Sequence, residues 1–222
     1  MNEDSVLDRP EASLWAVADG MGGHDAGDVA SQTVVRRLSE VKPLPDAPSY
    51  VDAIEDALMD ANRYLRQRAS DAGGGRMSGT TVVAAAGFST HIVYMWAGDS
   101  RLYLARDGKC MQLTRDHSYV QALVEQGQIT EEEAQIHPQS NIIMRAIGAQ
   151  DDIFFECDMV RIREGDLVLL CTDGVYRSIE PQELRDIMLT GGDEKTVAAL
   201  LQKRVLEGDA RDNLSALVIR AA

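Results

Sequence analysis

The chain has 222 residues, 45% of them hydrophobic, with a formal net charge of -14. This length and apolar content suit one domain spanning residues 1–222 and exclude a disordered chain, while a uniformly acidic surface repels nucleic acid and anionic lipid. The longest apolar runs, 167–171 and 81–86, are far too short to cross a bilayer, and no charged-then-apolar leader opens the chain. The three cysteines form no CxxC pair, so neither a disulfide framework nor a zinc knuckle is expected and a reducing cytoplasm is the expected location.

The elements read in chain order as follows. Residues 13–18 form a short apolar strand, and 26–38 a helix with Ala30, Val34 and Leu38 four apart. The cluster 43–48 connects it to a second, amphipathic helix over 51–68, where Val51, Ile54, Leu58, Ala61 and Leu65 recur at steps of three and four. The composition then turns to Val, Thr, Tyr and Ala in 80–88, 91–97 and 101–106, whose short connections suit antiparallel hairpins. Short helices are expected over 116–126 and 130–135, the second capped by Thr130 with Glu133 completing a capping box. Strands return at 154–161 and 166–171, followed by helices at 181–189 and 194–206 and a last strand at 214–220. Strands and helices come in blocks, which argues for an α+β layered fold with antiparallel sheets. No GxGxxG or P-loop pattern follows any strand.

The informative residues are acids at strand ends. Asp19 and Gly20 follow one apolar strand, and Asp173 and Gly174 another. Asp99 lies between two strands, Asp212 just before the last, and Glu3 and Asp4 near the start. A single Asp-Gly is an ordinary turn. Four acids, each at the end of a distinct strand, would converge on one sheet rim if the strands lie side by side. Crowded carboxylates repel, and a divalent cation removes that cost. Oxygen donors without cysteine favour Mg²⁺ or Mn²⁺ over Zn²⁺.

At eight places, in order, the chain resembles the metal-dependent protein phosphatases called PPM or type 2C: NEDS at 2–5, DGMGGH at 19–24, SGTT at 78–81, GDSR at 98–101, LTRDHS at 113–118, HPQSNIIMRAIG at 137–148, CTDG at 171–174 and RDN at 211–213. The DGMGGH form and segment 116–148 look like the bacterial branch, in which 116–148 is a flap over the active site. The resemblance implies a four-layer α-β-β-α sandwich, two antiparallel sheets flanked by helices, with helices 26–38 and 51–68 on one sheet and 181–189 and 194–206 on the other. It implies that Asp19 bridges two Mn²⁺ or Mg²⁺ ions, with the Gly20 carbonyl at the first and Asp173 and Asp212 at the second. Asp99, with Asp173, is the implied anchor of a third ion, and Glu3, Asp4 and Asn213 act around the ligands, Asn213 orienting Asp212 or a water.

The implied reaction is hydrolysis of phosphoserine and phosphothreonine in proteins by a metal-bridging hydroxide, opposing a Ser/Thr kinase, by a monomer that binds neither nucleic acid nor membrane. His24 either protonates the leaving group or orients a ligand or caps the next helix. His117 is expected to fix the start of the helix after it, His91 and His137 to lie in turns, and Ser78, Thr80 and Thr81 to pack near the metals. The family carries a phosphate-binding arginine before NED, and here only Met1 precedes Asn2. The expectation is a chain trimmed at its N-terminus, with the substrate-binding residue unknown. Two other readings stand beside this one: a degenerate, non-enzymatic relative, which retention of Asp19, Asp99, Asp173 and Asp212 disfavours, and a two-metal nuclease, which the charge disfavours.

Overall fold

The computed structural model describes residues 2–22, 26–73, 78–208 and 212–221. Among these residues ten strands form two antiparallel sheets. The first runs β1 (Asp4–Arg9), β2 (Leu14–Met21), β4 (Val82–Gly87), β5 (His91–Ala97), β8 (Glu156–Arg161), with the two-residue β3 (Gly79–Thr80) also paired to β2. The second runs β10 (Ala216–Arg220), β9 (Leu167–Cys171), β6 (Arg101–Arg106), β7 (Lys109–Gln112).

The sheets meet through an apolar layer. Val17, Val83, Ala85, Ile92, Tyr94 and Trp96 of the first sheet pack on Leu102, Leu104, Val168 and Leu170 of the second. The alternate residues of the first sheet, including Ala16, Ala18, Val82 and Ala84, face two helices, α1 (Ala26–Glu40) and α2 (Ala47–Asp71). Residues Tyr103, Leu169 and Cys171 of the second sheet face α6 (Pro181–Met188) and α7 (Glu194–Glu207). The expected four layers are thus observed. Central strands buried on both faces read as continuous apolar runs, and the outer strands β1, β7 and β8, with at most one buried residue each, lack that signature.

Among the described residues, three small α-helices, α3 (Tyr119–Glu125), α4 (Glu131–Gln135) and α5 (Asp173–Tyr176), and a 3-10 turn at Pro10–Ala12 complete the order. The capping box at Thr130 and Glu133 is present. Among the described residues no helix is long and apolar enough to cross a membrane.

The differences from the sequence reading are local. The 43–48 connection ends early, because Asp46 accepts from the Ser49 amide and Pro48 sits in the first turn, so α2 begins at Ala47. His91 is not a turn residue; it opens β5 opposite Arg161. Strand β2 does not stop at Ala18 but runs on through Asp19 and Gly20, because Asp19 pairs with Asp4 of β1 and Gly20 with Thr80 of β3. Strands β1 and β7 and helix α5 carry no apolar periodicity of their own and exist through pairing and packing.

Strand register places the acids. Cys171 of β9 lies between Arg101 of β6 and Ala216 of β10. Asp173 follows Cys171 by two residues, Asp99 precedes Arg101 by two, and Asp212 precedes Ala216 by four, so all three emerge at one rim. Asp4 and Asp19, facing each other across β1 and β2, emerge at the rim of the other sheet.

Candidate metal centre

Among the described residues, Asp19 is held by backbone and hydroxyl contacts rather than by any cation. Its amide donates to Thr81 Oγ1 at 3.2 Å, and its carbonyl accepts from the Thr81 amide and Thr80 Oγ1, each at 2.9 Å. Thr81 Oγ1 also meets Ser100 Oγ at 2.7 Å, tying Asp19 to the Asp99 hairpin. Thr80, Thr81 and Ser100 are buried, which fits the packing role expected of the SGTT segment.

Asp4 faces Asp19 and accepts from Thr172 Oγ1 at 2.8 Å. Directly opposed like charges destabilise a strand pair. Burial, followed by the charges of Asp173, Asp4, Asp99 and Asp212, pushes the Asp19 carboxyl up to about 9. Burial also raises Asp4, and burial and Asp212 raise Asp173 despite the opposing Arg177. Asp99 is 2% exposed, and burial together with Asp173 pushes it up to about 6.

Asp173 opens α5, with Nε of Arg177 at 2.9 Å from its Oδ2. Its other oxygen, Oδ1, is buried without a hydrogen-bond partner among the described residues. A buried carboxylate oxygen without a donor beside four other acids is a cost that one positive charge would remove. Among the described residues the donor set is hard, made of carboxylate oxygens with neither thiol nor imidazole, and so fits Mg²⁺ or Mn²⁺. Among the described residues no three of these side chains already stand at the spacing of a closed metal shell. The acids converge without being gathered, and Asp212 stands exposed at the edge.

The Asp-Gly glycines have a steric reason. A side chain on Gly20 would strike the backbone of Gly27 and Glu3, and one on Gly174 the carbonyl of Asn213. Each loop therefore packs backbone to backbone beside its acid.

Other expected residues find different partners. Asn213 does not turn its side chain to Asp212; its Oδ1 accepts from the Glu3 amide at 2.8 Å and clasps the start of the first sheet to the second. The Asn213 amide is what meets Asp212 Oδ1, also at 2.8 Å. Glu3 rests its carboxylate against Gly27. His117 does not cap α3, a task that falls to Ser118. It stacks on Trp96, accepts at Nδ1 from the Gly98 amide, and meets Glu156 and Arg145 through Nε2. Cys171 is fully buried and pushed up to about 12 by burial, the state of an inert core thiol. His24 lies outside the described residues.

Sequence reasoning missed Thr172, Tyr176 and Arg177. Thr172 bridges Asp4 to the Ser215 amide. The Tyr176 hydroxyl donates to Asp99 Oδ2 at 3.2 Å. The signal for Arg177 was present, since an arginine four residues after an aspartate at a helix start is a salt-bridge spacing.

The sequence profile of protein phosphatase 2C matches residues 1–206. The serine/threonine phosphatase stp of Listeria welshimeri is 33% identical over 225 residues, covering 98% of this chain and 89% of that one. A structure described as PppA, a key regulatory component of T6SS in Pseudomonas aeruginosa, superposes with a TM-score of 0.92 at 39% identity, covering 100% of this chain and 92% of the other. The catalytic domain of the serine/threonine protein phosphatase PstP, crystallised in complex with two manganese ions, superposes with a TM-score of 0.86 at 33% identity, covering 98% and 90%.

Proposed function

The chain belongs to the protein phosphatase 2C family, and from that premise we propose how its own residues carry the metal-dependent hydrolysis of phosphoserine and phosphothreonine in proteins. The carrying observation is the convergence of Asp4, Asp19, Asp99, Asp173 and Asp212 at one end of the sandwich, with Asp173 Oδ1 buried and unpartnered among the described residues.

Asp19, Asp173 and Asp212 are the residues to hold two Mn²⁺ or Mg²⁺ ions, with the Gly20 carbonyl as a further donor and Asp99 as the anchor of a third. Divalent ions, when bound, supply a nucleophile at neutral pH and neutralise the phosphoryl oxygens. The protein supplies position. Thr80, Thr81 and Ser100 fix the Asp19 backbone, Thr172 fixes Asp4, and Asn213 joins the two rims so that carboxylates from both sheets face one volume. Preset ligands lower the reorganisation needed when charge develops. Among the described residues the site holds no cysteine or serine poised with a base, which suits direct attack on phosphorus without a phosphoenzyme.

The substrate is a phosphorylated protein. A Ser/Thr kinase or its target is the partner we favour, with the protein acting as a monomer.

The test is hydrolysis of a phosphothreonine peptide with added Mn²⁺. Activity is expected to fall by ~10²–10³-fold in Asp19→Ala and Asp173→Ala, the scale of losing a preorganised charge-stabilising group. Full activity in excess EDTA would overturn the reading.

A further inference from the structure

Arg177 is placed where no ordinary surface arginine would be. Its guanidinium reaches two carboxylates on different loops of the second sheet, with Nε 2.9 Å from Asp173 Oδ2 and Nη2 3.4 Å from Asp99 Oδ2. The opposite edge grips a third segment. Nη2 donates to the Ser140 carbonyl at 2.8 Å and Nη1 to Ser140 Oγ at 3.3 Å. Ser140 lies in the turn between α4 and the bridge residue Ile143. Among the described residues, Arg177 is thus the one side chain that joins the acidic rim to that turn through charge.

Neighbouring residues leave Asp99 dependent on it. Arg101 is close but is spent on Asp116, at 2.7 Å from Nη2 to Oδ2, and on stacking over Tyr176 at 3.6 Å. Tyr176, held by that stacking, offers Asp99 a neutral hydroxyl. Among the described residues, Arg177 alone pairs a cation with Asp99. It also remains one-third exposed, so it can swing outward into solvent once another cation takes its place. Asp99 has no such freedom at 2% exposure.

We propose that Arg177 is a built-in counter-ion that latches the 138–141 turn onto the acidic rim, and that a divalent ion arriving at Asp99 displaces it and releases the turn. This rests on the metal-centre reading above. A guanidinium and a divalent cation cannot share one buried carboxylate without strong repulsion, so the two are alternative occupants. The planar fork is what makes the latch work, because one guanidinium satisfies carboxylates on one edge and a carbonyl on the other. Coupling is reciprocal: whatever frees the turn favours the ion, and the ion frees the turn. Arg177 is therefore a positioning residue, acting on the turn over the site rather than on the reacting atoms.

The test uses the full chain, with Mn²⁺ titration by calorimetry and amide exchange of residues 138–143. In the wild type, saturating Mn²⁺ should accelerate exchange of the turn. In Arg177→Gln the turn should exchange fast without metal and respond no further, and the weakest Mn²⁺ site should tighten roughly tenfold. Arg177→Lys, which keeps the charge but not the fork, should restore metal competition without restoring protection of the turn. Asp99→Asn should abolish the Mn²⁺ response of the turn while the tighter binding persists. Wild-type exchange that ignores Mn²⁺ despite demonstrated Mn²⁺ binding, or a slow-exchanging turn in metal-free Arg177→Gln, would overturn the latch and leave the metal centre standing. Absence of any Mn²⁺ binding in the wild type would overturn the metal centre itself, and the displacement with it.

Discussion

Asp166 shows what a buried carboxylate does in this protein when it has a partner. Its side chain is 4% exposed; it accepts from Arg106 Nε at 2.9 Å and from the Arg163 amide at 2.7 Å. Burial alone would raise this carboxyl, and the arginine and amide outweigh burial and hold it below its ordinary value of 3.8. A folded-state value below the unfolded one stabilises at every pH above about 3.8, and the contribution is lost as pH falls through the folded value. Asp166→Asn should therefore cost about 2 kcal/mol at pH 7, roughly 6 °C in Tm for a chain of this size. The gap should shrink as the measurement is moved to pH 3 and below; a gap unchanged across that window would show that charge is not what the residue contributes. Asp19 is the opposite case, with burial and four like-charged neighbours and no cation of its own. That contrast was legible in the chain, because Asp19, Asp99, Asp173 and Asp212 each stand beside an apolar strand. What was not legible was who holds them. Thr172 on Asp4, Asn213 on Glu3 and Arg177 on Asp99 are contacts across 168, 210 and 78 residues, set by sheet register and silent in local pattern.

Helix α4 illustrates an element that exists by its ends. None of its residues is buried, so no apolar face anchors it, and its Thr130–Glu133 capping box satisfies two otherwise orphan donors. Thr130→Ala should weaken this helix by about 1 kcal/mol. Because so little of the core depends on it, faster amide exchange confined to residues 131–135 is expected, with Tm held within about 1 °C. A global loss of stability would mean that the segment is packed more tightly than its exposure indicates. The same distinction explains which elements could be read. Helices α1 and α2 carry their burial in their spacing, and β4, β5 and β9 in their apolar runs, so each was placed to within a few residues. Strand β1, with only Leu7 buried, and β7, with no buried residue, borrow their conformation from β2 and β6. Helix α5 is a single turn whose reason is the packing of Val175 and Gly174. Elements of that kind are written in the tertiary fold and not in their own few residues.

The whole molecule brings together what each sheet would keep apart. The layer of Val17, Val83, Ile92 and Trp96 against Leu102, Leu104, Val168 and Leu170 fixes the sheets face to face. With that register set, Asp4 and Asp19 from one rim must meet Asp99, Asp173 and Asp212 from the other. The core thus does work against electrostatic repulsion, and the metal-free fold carries the cost. Neutralising one acid without changing its shape should recover part of it: Asp19→Asn is expected to raise the stability of the EDTA-treated protein by about 2 kcal/mol, a gain of roughly 6 °C in Tm. Divalent ions should stabilise the wild type by mass action, by about 2.7 kcal/mol for each site held at one hundred times its Kd. The two effects make the order of stabilities reverse. Without metal, Asp19→Asn should melt above the wild type; with Mn²⁺ in excess, the wild type should rise past a variant that has lost its central ligand. Thermal melts of both proteins across a Mn²⁺ series read this crossing directly. Curves that stay parallel would mean that the acids at the rim neither repel one another nor share an ion.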